Sequence, residues 1–178
     1  MSVFFIIILV LVAAALFAVA ILIEVFWGAF PLLFWGAIYV ATPDEKVEKM
    51  IRLLDIKPGQ KFADLGAGNG KLVVAAAKAG AEAHGYEINP FLVAAGRKTI
   101  RQVGLEGKAF MHYKSLWKQN VKDFDSIAIY AMNHMMKGLE KKFNLELKPG
   151  AKVVSNHFTF PEWKPAKEEG NIRLYIKS

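Results

Sequence analysis

A glycine-rich turn between a short apolar strand and a helix constrains this chain more than any other feature. The stretch Lys61–Lys71 reads KFADLGAGNGK, and its first part, Phe62–Leu65, is a predicted strand. Three alternating glycines follow: Gly66, Gly68 and Gly70. Glycine tolerates positive φ and lets a ligand lie against bare backbone, and amides at a helix start favour a polar or anionic group. The stretch predicts either a ligand-binding unit or an ordinary tight turn, since such motifs alone are weak evidence.

Two acidic residues indicate which ligand fits. Asp64 precedes the turn, and Lys71 stands where the third glycine of a dinucleotide site would be. A carboxylate there would repel a pyrophosphate, but it suits the ammonium group of S-adenosylmethionine. Glu87 ends a second predicted strand, Ala81–Glu87, where an acidic side chain accepts hydrogen bonds from ribose hydroxyls. The prediction is an S-adenosylmethionine site, with Asp64 on the amine side and Glu87 on the ribose.

Strands alternate with helices after residue 42, which predicts an α/β, doubly wound, mostly parallel Rossmann-like sheet with its ligand site at the carboxyl ends of the strands. The first helix is expected to start at Thr42, with Pro43 at its first position and Glu45 closing a capping box. The connection Pro161–Gly170 is too short for a parallel crossover. The last predicted strand, Asn171–Lys177, is therefore expected to run antiparallel beside the fifth.

The first forty residues are strongly apolar. Val3–Ile23 contains no charged residue, and about 20 residues at roughly 1.5 Å each cross a hydrocarbon core of about 30 Å. The first basic residue is Lys46, so the basic start of a cleaved signal peptide is missing. We predict a transmembrane helix over residues 1–24. Residues 25–42 are aromatic and contain Pro31, which would break or kink a helix, and they predict an interfacial or re-entrant segment, with a second span as the alternative.

All 23 lysines and arginines lie beyond residue 45, and the net charge is +7. Basic flanks stay in the cytoplasm, so a single span predicts an outside amino terminus and a cytoplasmic domain, or a matrix domain in a mitochondrion. The charge also suits an anionic leaflet of a lipid bilayer. We expect no nucleic-acid partner, because no basic motif is interleaved with aromatics, and no metal, because spaced histidines without cysteine form no ligand pattern.

Six stretches carry a likeness to a known family, and they are Tyr39–Pro43, Asp64–Gly70, Gly85–Pro90, Leu116–Lys118, Met135–Met136 and Phe158–Trp163. Together they resemble the membrane-anchored class I (seven-strand) lysine methyltransferases that modify the ATP synthase c subunit and the mitochondrial adenine nucleotide translocase, with their prokaryotic relatives. The glycine turn indicates only a class I methyltransferase, whereas Glu87 with the following Asn89 and Pro90, and the stretch Phe158–Trp163, are much more specific. The resemblance implies a methyltransferase domain over residues 43–178.

The resemblance also extends the cofactor site, whose predicted residues are Thr42, Pro43, Asp64, Gly66, Ala67, Gly68, Gly70, Glu87, Ile88, Asn89, Ser115 and Leu116. Two features depart from the family. Ser115 stands where the family usually has an aspartate, which puts a charged contact to adenine in doubt. Only one strand is predicted after the fifth, where the family has two, so we expect the outermost strand to be missing.

A lysine acceptor must be neutral to attack, so a narrow aromatic channel that disfavours the ammonium form is expected after the fourth and fifth strands. The candidate lining residues are Tyr130, Asn133, His134, Asn156, His157, Phe158 and Phe160. Several have structural alternatives: the histidines can lie on the surface, Met135 and Met136 can fill the core, and Asn133 can cap a helix.

The predicted function is a membrane-anchored S-adenosylmethionine-dependent methyltransferase that N-methylates a lysine of a membrane or membrane-proximal protein. Two alternatives stay open. The chain could methylate a small or lipid molecule at the membrane, or it could be a non-catalytic cofactor-binding membrane protein. Base methylation is disfavoured, because Tyr130–His134 lacks the N/D-P-P-Y/F signature.

Overall fold

The structure, a computed structural model, describes residues 3–34 and 41–178, with side chains from residues 5–25 and 41–178. The chain divides into two compact units, Met1–Ile38 and Tyr39–Ser178. The helices of the described residues are α1 (Val3–Phe34), α2 (Asp44–Leu54), α3 (Lys71–Lys78), α4 (Pro90–Gln102) and α5 (Asn133–Glu146), with a 3-10 turn at Leu116–Lys118.

The first unit contains one long apolar helix. Its segment Phe5–Val25 has a mean hydropathy of 3.5 with no part buried, so it is long and apolar enough to cross a membrane. The expected break at Pro31 does not occur, since α1 continues to Phe34; the alternative that Pro31 kinks the helix stays a prediction. The interfacial segment over residues 25–42 stays a prediction, and residues 35–40 of it lie outside the described residues.

The second unit is built on a mixed sheet of seven strands. They are β1 (Lys61–Leu65), β2 (Glu82–Glu87), β3 (Ala109–Tyr113), β4 (Ser126–Ile129), β5 (Lys152–Asn156), β6 (Lys167–Glu169) and β7 (Ile172–Ile176). The order is β3-β2-β1-β4-β5-β7-β6, and β1 to β5 run parallel. The doubly wound sheet is confirmed, as is the antiparallel pairing of β7 with β5.

The expected loss of the outermost strand is wrong. Lys167–Glu169 forms β6 and pairs antiparallel with β7 through a hairpin whose turn contains Gly170, with φ of 63°. This strand has only three residues, all charged and mostly exposed. It carries no apolar alternation, and only its pairing with β7 makes it a strand.

The start of α2 also differs from the prediction. The helix begins at Asp44, with Pro43 at the cap position and no side-chain capping bond, so the Thr42–Glu45 capping box is absent. Lys71, the first residue of α3, donates from Nζ to the Thr42 carbonyl at 3.0 Å and pairs with Asp44 at 2.8 Å. This tertiary contact holds the Thr42 carbonyl beside the beginning of α3.

Two hydrophobic clusters cover the two faces of the sheet. One packs α2, α3 and α4 on the face that carries Phe62, and the other packs α5 on the face that carries Leu65. Both clusters lie within residues 47–175, so the second unit has a complete core of its own. Gly85 permits the closest packing, because a Cβ there would lie 2.7 Å from both Ala67 Cβ and Val73 Cγ2.

Candidate active site

The glycine turn leaves open space above its first residue, Gly66. Gly66, Gly68 and Gly70 have φ of 95°, 53° and 79°. The amides of Gly66 and Ala67 both donate to the Tyr86 carbonyl, at 2.9 and 3.1 Å, which ties the turn to β2. A Cβ at Gly66 would meet nothing within 4 Å. A ligand can therefore lie against the backbone at Gly66.

Glu87 connects the end of β2 to the glycine turn. Its Oε2 accepts from the Gly68 amide at 2.9 Å, and its Oε1 accepts from the amides of Ile88 and Asn89, both at 2.8 Å. A carboxylate has about four acceptor sites, so these bonds leave about one, on Oε2. Glu87 is thus a fixed acceptor beside the turn, with capacity for a hydroxyl donor.

Asp64 is a buried carboxylate at the carboxyl end of β1. Its side chain is 4% exposed, and none of the described residues donates a hydrogen bond to it. Burial, and then the negative charge of Glu87, raise the pKa of Asp64 to about 7. A cationic ligand group would stabilise the charged form, because an opposite charge lowers the pKa of a carboxyl group. The pair Asp64 and Glu87 thus fits a ligand with both an ammonium group and hydroxyl groups.

The remaining cofactor-binding candidates follow neighbouring strands or precede neighbouring helices. Ser115 and Leu116 follow β3 after one intervening residue, Lys114, and the last residue of β3 pairs with Glu87. Ser115 is half-buried and makes no side-chain capping bond, and Leu116 packs partly against the cluster on the α5 face. Lys71 holds the Thr42 carbonyl at the start of α3. All twelve residues remain predicted cofactor contacts.

Aromatic side chains lie beyond the ends of β4 and β5. The rings of Tyr130 and Phe158 face each other at 6.4 Å between centroids, and His157 meets Phe158 edge-on at 4.8 Å. His157 has φ of 79°, a left-handed conformation that is uncommon for a residue with a side chain. Its amide donates to the Asn171 carbonyl at 2.7 Å, which holds this conformation. The segment after β5 is therefore fixed next to Tyr130.

Asn156 ends β5 with a buried acceptor that lacks a partner. The side chain is 2% exposed, and its Oδ1 has no hydrogen-bond partner among the described residues. Asp64 pairs with Ala128, which pairs with Val154, two residues before Asn156. Side chains two apart point to the same face of a sheet, so Asn156 shares the face of Asp64. Buried acceptors without partners are rare, which makes Asn156 a candidate ligand contact.

Three channel candidates have other surroundings than expected. Phe160 is 4% exposed and packs edge-on against Phe143 and Tyr175, at 5.8 and 4.7 Å, so it belongs to the core and not to a channel. Asn133 and His134 are exposed in the first turn of α5. Asn133 is not the helix cap, since that position belongs to Met132, but a substrate contact by Asn133 or His134 stays a prediction.

Glu140 is not among the residues that the sequence patterns singled out. Its carboxylate is buried, at 6% exposure, and accepts from the backbone amides of Glu162, at 3.1 Å, and Trp163. It thereby holds the segment that begins with Phe158. A signal for it is present in the sequence, because Glu140 falls in the apolar stripe that Met136 and Phe143 define on α5.

Comparisons with known proteins find methyltransferases. A family model described as the ANTKMT methyltransferase domain matches residues 64–167. The ATP synthase c-subunit lysine N-methyltransferase of Mus musculus is 38% identical over 74% of the chain and 53% of its own length. The adenine nucleotide translocase lysine N-methyltransferase of the same species is 37% identical over 77% and 61%. The chain thus spans a little more than half the length of these relatives.

Two further similarities cover nearly the whole of the other protein. A protein-lysine N-methyltransferase of Saccharolobus islandicus is 28% identical over 78% of the chain and 92% of its own length. A solved RNA methyltransferase from Salinibacter ruber, in complex with S-adenosyl-L-homocysteine, has 28% identity and a TM-score of 0.72, with coverage of 78% and 92%. Shares of this size correspond in length to the second unit.

The raised pKa of Asp64 predicts a specific dependence of stability on pH. The unfolded carboxyl releases its proton near pH 4 and the folded one near pH 7, so its contribution to the free energy of unfolding falls as the pH rises between these values. The substitution Asp64→Asn, made in a protein of residues 39–178, removes the titrating group and with it this pH-dependent loss of stability. We expect the free energy of unfolding of the variant, relative to the parent, to rise by roughly 2–3 kcal/mol from pH 5 to pH 8.

Urea unfolding at both pH values measures this difference. Asp123→Asn, in an exposed loop, is the matched control for the loss of one negative charge and should show no comparable rise. If the free energies of unfolding of Asp64→Asn and the parent differ by the same amount at both pH values, the pKa of Asp64 is not raised in the folded protein.

Proposed function

The chain belongs to the ANTKMT methyltransferase domain family, and we propose that it is a membrane-anchored enzyme that transfers methyl groups from S-adenosylmethionine to a lysine of a membrane or membrane-proximal protein. The names of its relatives support lysine as the acceptor. The observation that carries the proposal is the constellation of Asp64, the open glycine turn and Glu87, with Asn156 on the same sheet face as Asp64.

The cofactor follows from the chemistry of this constellation. S-adenosylmethionine combines an amine with a ribose. The amine matches the carboxylate of Asp64, which has no hydrogen-bond donor among the described residues, and the ribose matches the remaining acceptor site of Glu87. The absence of a side chain at Gly66 leaves room for the connecting atoms. The S-adenosyl-L-homocysteine named with the Salinibacter ruber methyltransferase supports the same ligand class.

When bound, S-adenosylmethionine supplies a methyl group on a cationic sulfur. An amine lone pair attacks the methyl carbon in line, and the sulfur leaves as the neutral thioether. The chain's own residues have to align the acceptor and exclude water. A lysine amine has a pKa near 10.4, so fewer than about one in a thousand is neutral at pH 7. The rings of Tyr130 and Phe158 exclude water from the amine, and this desolvation disfavours its charged form. The Asn156 Oδ1 accepts one N–H of the neutral amine, which directs its lone pair.

Glu87 tests the cofactor assignment. A hydrogen bond to a charged group contributes about 1.5–3 kcal/mol, so Glu87→Ala should weaken S-adenosylmethionine binding about ten- to a hundred-fold in calorimetry. Glu82→Ala is the matched control, since Glu82 is an exposed carboxylate at the other end of the same strand. Unchanged affinity in a folded Glu87 variant would exclude the ribose contact.

Asn156 tests the acceptor assignment. A neutral hydrogen bond contributes about 0.5–1.5 kcal/mol, so Asn156→Ala should slow methylation about three- to ten-fold at saturating S-adenosylmethionine and leave the cofactor affinity unchanged. Asn144→Ala, on the exposed side of α5, is the control. If S-adenosylmethionine binding falls in parallel with the rate, Asn156 contacts the cofactor and not the amine.

Membrane topology is the next part of the proposal. The apolar helix α1 and the placement of every basic residue beyond residue 45 favour a single span with the catalytic domain on the cytoplasmic side, or on the matrix side in a mitochondrion. Protease added to intact cells or spheroplasts should therefore spare residues 43–178 until the membrane is permeabilised. Digestion of the domain in intact cells would show that the domain lies on the outer side of the membrane.

Label transfer from radioactive S-adenosylmethionine to native membranes tests the function as a whole. A membrane tether raises the effective concentration of targets in the same membrane. The full chain should therefore label a membrane protein at lysine far more than residues 39–178 do at equal concentration. Label in the lipid extract would favour the small-molecule alternative, and cofactor binding without any label would favour the non-catalytic one. Equal labelling by both chains would show that the tether does not select the substrate.

A further inference from the structure

The positive charge of the chain is concentrated at one edge of the sheet. Residues 88–122 contain seven lysines and arginines and only one acidic residue, and they therefore account for most of the chain's net charge of +7. This segment comprises α4, the edge strand β3 and the turn that follows it. All seven basic residues are exposed, namely Arg97, Lys98, Arg101, Lys108, Lys114, Lys118 and Lys122.

These basic residues have no acidic partners within residues 41–178, unlike most of the others. Ten lysines and arginines of that range form salt bridges, and none of the ten lies in residues 88–122. Arg97 instead donates to the Met111 carbonyl at 2.8 and 3.0 Å, and Lys114 donates to Gln119 at 2.8 Å. The edge therefore presents charge that the described part of the protein does not neutralise, which attracts an anionic surface.

Exposed aromatic residues lie on the same edge. Phe91 is 82% exposed at the start of α4, and Tyr113 and Trp117, at the end of β3 and in the turn after it, are 66% and 46% exposed. The other exposed large apolar residues of 41–178 are aliphatic, namely Val103, Leu145 and Ile176. This interleaving of aromatic and basic residues was not expected from the sequence patterns, and such a surface is typical of the boundary between lipid and water.

We propose that this edge, which we call the basic edge (residues 88–122), docks the catalytic domain on an anionic lipid surface. Three observations support a lipid partner: the unneutralised charge, the grouping of the exposed aromatics on the same edge, and an apolar helix in the same chain that is long enough to cross a membrane. Docking does not depend on methyl transfer. A single-stranded RNA is the competing anionic partner.

Sedimentation with lipid vesicles tests the basic edge without the contribution of α1. Residues 39–178 suffice, because both hydrophobic clusters lie within them. They should bind vesicles of phosphatidylcholine with about 30% phosphatidylglycerol at low salt and bind pure phosphatidylcholine much less. The triple variant Lys98→Glu, Arg101→Glu and Lys108→Glu should bind the anionic vesicles at least about a hundred-fold less tightly, because the loss of three basic residues alone has this effect and the new carboxylates are repelled by the lipid.

A matched triple variant separates this edge from general attraction by net charge. Lys78→Glu, Lys141→Glu and Lys164→Glu change the charge equally at exposed positions outside residues 88–122, and this variant should retain most of the binding. Circular dichroism should show that both variants are folded. Equal loss in both variants would overturn the proposal, and so would equal binding to neutral vesicles.

The aromatic and nucleic-acid contributions are measured with the same protein. Phe91→Ala with Tyr113→Ala should weaken vesicle binding while the preference for anionic lipid remains. A single-stranded oligonucleotide offered in competition should displace the protein from vesicles only at a large excess. Tighter binding to the oligonucleotide than to anionic vesicles at equal salt would overturn the lipid assignment in favour of RNA.

Discussion

The hydrogen bonds of the Glu87 carboxylate are the interaction on which the site depends. Three backbone amides donate to it, one from the glycine turn and two from the segment after β2. These bonds fix the turn relative to the adjacent strand. The turn also needs close packing beneath it, and Gly85 provides this because no side chain separates β2 from Val73 on α3. A preformed site of this kind loses little conformational freedom when it binds.

The same arrangement carries an electrostatic cost. Asp64 is buried near the charge of Glu87 with no donor among the described residues, and both effects raise its pKa to about 7. Charging Asp64 therefore destabilises the fold near neutral pH unless a cation is bound. Such a cost is common at functional sites, where binding requires groups that the fold alone would not favour. Glu140 does not carry this cost, because two backbone amides donate hydrogen bonds to its buried carboxylate.

The basic residues of the surface also differ in whether they have acidic partners. Lysines and arginines outside residues 88–122 are mostly paired with carboxylates, and within residues 41–178 those of the basic edge are not. Pairing at an exposed site contributes little to stability, so the unpaired edge costs the fold little. Its long-range field can still direct the domain toward an anionic surface, and it weakens as salt is added.

Local sequence was enough to predict the glycine turn, the positions of Asp64 and Glu87, and the alternation of strands and helices. These features depend on local conformational preference and on the rule that neighbouring parallel strands end at one edge. Other features arise only from contacts between elements. Lys71 of α3 contacts Thr42 and Asp44 at the start of α2, and β6 exists only through its pairing with β7. Asn156 acquires its buried position, with no partner for Oδ1 among the described residues, from the register of three strands. Contacts between residues distant in the chain leave no local periodicity, so a single sequence does not contain them in readable form.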